Sequence, residues 1–92
     1  MALSQGDIEE RLRELDGWTL REDKIVRTLE FPSFMEAIAF VNKVARVAES
    51  LNHHPIIGIN WKTVKLSLKT FDSNSITERD FSVASEIDKQ IK

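Results

Sequence analysis

The chain has no cysteine, which excludes disulfides and thiolate sites and suits a reducing compartment. It has no long apolar run, and nothing approaches the ~20 residues of a membrane span. The opening Met-Ala-Leu-Ser-Gln-Gly-Asp lacks the basic-then-apolar order of a signal peptide. The expectation is a cytoplasmic protein with no membrane partner. A clustered basic face is missing too: 13 Lys and Arg are interleaved with 15 Asp and Glu, for a formal net charge of −2. That argues against direct nucleic-acid binding, which needs a positive surface for the phosphates. Repeats, low-complexity tracts and linkers are also absent. What remains is 92 residues, 41% of them hydrophobic. That suffices for one small domain over residues 1–92, with a stability of roughly 5 to 14 kcal/mol.

Ser4 can cap a first helix carrying Ile8, Leu12 and Leu15, with Gly17 as a stop. Trp18–Glu22 and Ile25–Phe31 look like strands around a Glu22-Asp23-Lys24 turn, and Arg27 breaks the apolar phase of the second. Ser33 and Glu36 make a capping box for a long helix. Phe34, Ala37, Ile38, Val41, Val44, Ala45 and Ala48 then recur at helical spacing. That helix should run to about Leu51 and end on a left-handed Asn52.

A phase slip follows. Ile57, Ile59 and Trp61 alternate on odd positions, whereas Val64, Leu66 and Leu68 alternate on even ones. One strand cannot change face in this way, so a hairpin turn near Lys62-Thr63 is the simplest account. Ser75 or Thr77 caps a last helix carrying Val83, Ala84, Ile87 and Ile91. Strands with one apolar face need cover on that face only. The expected fold is therefore α+β: a four-stranded antiparallel sheet with three helices on one face, in the order helix-strand-strand-helix-strand-strand-helix.

The only histidines are His53 and His54, adjacent and followed by Pro55. Proline biases His54 to extended backbone, so the pair sits where the long helix gives way to strand. The helix C-terminus favours a cationic imidazole, and histidine is the common proton-transfer catalyst at neutral pH. Two polar aromatic residues filling a helix-to-strand corner answer the local spacing at least as well. Glu49 lies four residues before His53, in reach of it on a helix; an ordinary solvated charge is the plain alternative. Glu49 with two histidines also raises zinc, but adjacent histidines rarely point at one ion and no further ligand is evident. Phe71 ends the outward phase of Lys65, Ser67 and Lys69, which suggests a pocket wall or an interface. Asp80 fits a first-turn helix acid, and Glu78 and Arg79 read as surface or capping residues.

Together these positions form a pattern: Glu49, His53-His54-Pro55, Trp61, Phe71 and Asp80. It resembles the signature of the pterin-4a-carbinolamine dehydratase family, one member of which serves as dimerization cofactor of a homeodomain transcription factor. Gly17-Trp18, the Phe31 and Phe34 region, VARVAESLNHHP and SITERD extend the resemblance over roughly residues 5 to 92.

The resemblance implies dehydration of a 4a-hydroxytetrahydropterin by acid–base catalysis, without metal, nucleotide or redox cofactor. It implies His53 and His54 as catalytic residues. Glu49, Asn52, Pro55, Trp61, Lys69, Thr70, Phe71, Asp72 and Asp80 would bind substrate, with Glu49 or Asp72 as helpers in proton transfer. Homodimers or homotetramers are implied, and an aromatic amino acid hydroxylase is a candidate partner. Phe71 stands where the family usually has a third histidine, and phenylalanine cannot transfer a proton. The alternative is therefore a weakly active or inactive module that binds a pterin or a protein.

Overall fold

The first helix, α1 (Gln5–Arg13), is opened by Ser4. The Asp7 backbone N–H donates to the Ser4 hydroxyl at 3.1 Å, satisfying one of the amides a helix start leaves free. The computed structural model describes residues 2–91. The helix ends before Gly17: Glu14 caps it in right-handed geometry. Gly17, at φ 83°, serves the bend into the first strand instead. A side chain is strained at that φ, and a Cβ would also stand 3.0 Å from the Arg27 guanidinium carbon, which would have to give way.

The strands are β1 (Thr19–Arg21), β2 (Lys24–Glu30), β3 (Ile56–Asn60) and β4 (Thr63–Leu68). They form one sheet in the order β1-β2-β4-β3, every pair antiparallel. The first is shorter than the sequence suggested, and the second keeps its seven residues but starts and ends one residue earlier. Glu22 turns at φ 58°, so Glu22-Asp23 alone makes the turn and Arg21 faces Lys24. In the second hairpin Asn60 faces Thr63, which places the turn at Trp61-Lys62, one residue earlier than expected. Trp61, at φ 55°, therefore belongs to the turn and not to the strand phase.

The helix α2 (Phe34–Leu51) has the expected bounds, with Ser33 as N-cap and Asn52 as a left-handed C-cap at φ 51°. Its buried stripe is Ala37, Phe40, Val44, Val47 and Ala48. Phe34 and Ala45, expected inside, are exposed. Phe40, whose ring centroid lies 5.0 Å from that of Phe31, and Val47 turn the stripe toward the sheet. The last helix, α3 (Glu78–Ile91), buries Asp80, Phe81, Val83, Ala84 and Ile87.

The core gathers these helix faces with Ile8 and Trp18 on one phase of the sheet, Ile25, Val64, Leu66 and Leu68. Fully burying each such side chain is worth roughly 1.5–3 kcal/mol. The helices thus cover one face of the sheet, as its single apolar phase requires. Arg27 shares that phase because Asp88 of α3 meets it at 3.1 Å. The Trp18 indole N–H donates to the same carboxylate at 2.8 Å.

Candidate active site

The left-handed turn at Asn52 decides what becomes of the two histidines. Helical spacing would set Glu49 against His53, but α2 stops at Leu51 and the chain reverses. His54 then swings back to Glu49, Nε2 to Oε2 at 2.6 Å, and His53 turns inward. The expected Glu49–His53 contact is corrected to Glu49–His54.

His53 is 8% exposed and its Nε2 lies 2.7 Å from Oδ1 of Asp80. Asp80 is fully buried, and its other oxygen is satisfied twice. The Thr70 hydroxyl and the Thr77 backbone N–H each donate to Oδ2 at 2.9 Å. The Thr77 hydroxyl lies 2.7 Å from that of Thr70 and accepts from the Arg79 N–H at 3.2 Å. Thr77 is thus the N-cap of α3 and Asp80 the acid three residues on, as in a capping box. Asp80 is a first-turn helix acid, as expected, and also the buried carboxylate that orients His53. A buried charge needs such partners, since an unpaired one costs several kcal/mol.

A hollow of about 220 Å³ opens beside the pair. Asn52, His53 and His54 form one rim; Lys69, Thr70, Phe71 and Asp72 form the other, with Arg79 of α3 between them. The second rim is fixed by a tight loop. Thr70 and Ser75 exchange backbone hydrogen bonds at 2.9 and 3.1 Å, and Asn74 turns at φ 53°. Phe71, at its tip, is 56% exposed.

The outward phase does not leave Lys69 in solvent as its neighbours suggested. Its side chain is 7% exposed and ion-paired to Asp23 of the β1–β2 turn. That pair holds the Asp23 carboxyl below the usual carboxylate range, a hydrogen bond from Lys69 being the main cause.

The structure brings together Asn52, His53, His54, Lys69, Thr70, Phe71 and Asp72 at the hollow, with Glu49 and Asp80 each held against a histidine. Pro55 stands next in chain but outside the lining. Trp61 is not brought there: it caps the far end of β3, about 17 Å along the strand, 69% exposed under Lys62.

Three side chains were not assigned to the site from sequence, although Thr77 was named as a candidate cap of the last helix and Arg79 as a surface or capping residue. Arg79 lines the hollow and donates to the Asn52 carbonyl at 2.9 Å. Thr77 supports Asp80, and the Thr-x-x-Asp spacing of residues 77–80 could have revealed it. Asp23 reaches Lys69 across 46 residues of chain, and nothing local marks it. Glu78, the other residue read as surface, pairs with Arg11 of α1.

Among the described residues, no three His, Cys, Asp or Glu side chains gather as a metal would need; the donors weighed for zinc are split between two histidine–carboxylate pairs. A larger groove of about 570 Å³, lined among others by Arg11, Leu15, Leu51 and Phe81, carries no histidine. Both histidines line the smaller hollow.

Residues 1–90 match the model of the pterin 4 alpha carbinolamine dehydratase family. A relative from Roseiflexus sp. (strain RS-1), provisionally named a pterin-4-alpha-carbinolamine dehydratase, is 49% identical over 95% of this chain and 94% of its own. A crystal structure described as a transcriptional coactivator/pterin dehydratase from Brucella melitensis superposes with a TM-score of 0.95. It is 31% identical, and both chains are covered in full. A pterin dehydratase-like protein described as a RuBisCO assembly factor in the alpha-carboxysome shares the fold alone, with a TM-score of 0.64 and 19% identity over 79% of this chain and 84% of its own. The matched length and the identity to these relatives leave one conclusion: this chain belongs to the pterin 4 alpha carbinolamine dehydratase family.

Proposed function

We propose that the chain dehydrates a 4a-hydroxytetrahydropterin to the quinonoid dihydropterin and water. The observation that carries the reading is that two histidines, each held by its own carboxylate, meet at one hollow. The reaction breaks the C4a–O bond and removes the proton on N5, whose electron pair closes the new C=N bond. The departing oxygen needs a proton and N5 needs a base, each transfer contributing typically ~10²–10⁴ in rate.

His54 is the accessible imidazole, 56% exposed on its side chain, with Glu49 to stabilise the imidazolium that forms when it takes a proton. His53 is held by Asp80 in one orientation against the hollow and acts as the fixed partner. Asn52, Thr70 and Asp72 offer polar contacts to a flat heterocycle, and Phe71 offers an apolar wall. The transfers use side chains alone.

Phe71 favours a second reading, because no proton can pass through it: a module of little activity that binds a pterin or a protein. Dehydration followed by absorbance separates the two. The enzyme accelerates the reaction well beyond buffer. A rate equal to buffer that rises when Phe71→His is introduced supports the module.

Self-association into dimers or tetramers belongs to the same proposal. It is supported by Phe34 and Met35 exposed at the start of α2 and by Ile56 and Ile59 on the edge strand β3. An aromatic amino acid hydroxylase is the proposed source of the substrate. No helix among the described residues is long and apolar enough to cross a membrane, and a cytoplasmic location remains part of the proposal.

A further inference from the structure

Both histidines stand on one rim of the hollow, so a proton delivered from the opposite rim comes from one of the side chains there. Phe71 cannot deliver one. Thr70 is committed, its hydroxyl donating to Asp80. Arg79 is tied to the Asn52 carbonyl, and a guanidinium does not give up its proton in proteins. Asp72 is an exposed carboxylate, suited to accepting rather than donating. Lys69 is what remains. Its ammonium lies 5.7 Å from the centroid of the Phe71 ring, within the reach of a cation–π contact. Its side chain is almost wholly buried beside the hollow it helps to line. An ammonium has three donors: one is spent on Asp23, one edge rests against the ring, and one is left for a ligand.

Asp23 is not part of the hollow. It reaches Lys69 from the β1–β2 turn, and its other oxygen lies 3.4 Å from the Lys24 ammonium. Because Lys69 holds the Asp23 carboxyl below its ordinary range, the carboxylate stays ionised and serves as a fixed anchor. A buried lysine stem with its head group held by a carboxylate from a different hairpin has few orientations left. Such confinement is what a proton donor needs.

We propose that Lys69 is the proton donor to the departing C4a oxygen, and that Asp23 is the positioning residue that aims it. This rests on the dehydratase reading. As the C4a–O bond breaks, the oxygen leaves with the bonding pair and takes a proton from Nζ, departing as water. The N5–H bond yields its electrons to form N5=C4a and its proton to His54. Lys69 is left as the amine and regains a proton from solvent, and His54 returns one, so the cycle balances without oxidant or reductant.

The test is steady-state and single-turnover dehydration of 4a-hydroxytetrahydropterin by wild type, Lys69→Met, Lys69→Arg, Asp23→Asn and Asp23→Glu, each checked for folding by thermal unfolding. Lys69→Met is expected to lower kcat by about 10²-fold, the size of one lost proton transfer, with KM little changed. Lys69→Arg, which keeps the charge but holds its proton, is expected to stay at the low rate. Adding Phe71→His to Lys69→Met should restore turnover, because an imidazole then stands at the same rim. Asp23→Asn should lower kcat by less than Lys69→Met, and Asp23→Glu should recover most of it. Asp23 lies on an exposed turn, so its variants keep the test alive should Lys69→Met unfold.

Wild-type kcat in Lys69→Met, or full activity in Lys69→Arg, overturns the inference while the dehydratase reading stands. So does an Asp23→Asn enzyme indistinguishable from wild type. A wild-type chain no faster than buffer overturns both.

Discussion

Asp80 concentrates more of the site than any other residue. It is buried, and three groups point at it: the His53 ring, the Thr70 hydroxyl and the Thr77 amide. Asp80→Ala leaves them without their acceptor in a space closed to water. The expected loss is roughly 2–4 kcal/mol of unfolding free energy in denaturant titration. Glu49 supports His54 at the surface, and Glu49→Gln should cost little stability by the same measurement, since exposed pairs are worth at most about 1 kcal/mol.

The contrast also shows what could be read without coordinates. The His-His-Pro corner and the acids around it are visible as residue types at fixed spacings. Which acid serves which histidine is not. One left-handed residue, Asn52, reverses the chain and exchanges the pairing that helical spacing implies. Its own conformation predicts that Asn52→Gly is nearly neutral while Asn52→Ala costs about 1 kcal/mol in thermal unfolding.

At the scale of elements, long periodic segments declared themselves and short connections did not. α2 has the bounds its caps and periodicity imply, because eighteen residues of amphipathic pattern outweigh any one residue. Its buried face shifted to Phe40 and Val47, since a stripe of alanines and valines leaves the choice to the sheet it meets. The β1–β2 turn carried no local mark of its importance: Asp23 matters only because Lys69 arrives from β4.

That tie has a pH signature. The Asp23 carboxyl is depressed in the folded chain. Its stabilising contribution is therefore present above the unfolded carboxylate range and is lost as pH falls through the lower folded value. The advantage of wild type over Asp23→Asn in melting temperature should be level near neutrality and vanish in acid. A difference that grew on acidification would contradict the pairing. Gly17 is a second element-scale test. With φ 83° and Arg27 at 3.0 Å from a would-be Cβ, Gly17→Ala is expected to lose about 1–3 kcal/mol in denaturant titration.

For the whole molecule, the single apolar phase of the strands was enough to place three helices on one side of a four-stranded sheet. The remaining surface is where the sequence was silent. Phe34 and Met35 could be counted as helix residues but not identified as exposed, because that depends on where the sheet ends. If those side chains are covered by another copy, sedimentation should report the mass of two or four chains, and Met35→Glu should weaken the association. A monomer at all concentrations would remove the oligomer from the account without touching the site. The hollow is small, about 220 Å³, so the proposed dehydration has only the few groups that line it to draw on.

The most direct test of the central claim is the rate at which the wild-type chain dehydrates 4a-hydroxytetrahydropterin, compared with His53→Ala and His54→Ala. Wild type should exceed the buffer reaction by orders of magnitude, and each histidine variant should lose about 10²–10⁴-fold in kcat. A fast wild-type rate unchanged by either substitution would contradict the claim that this pair of histidines carries the reaction.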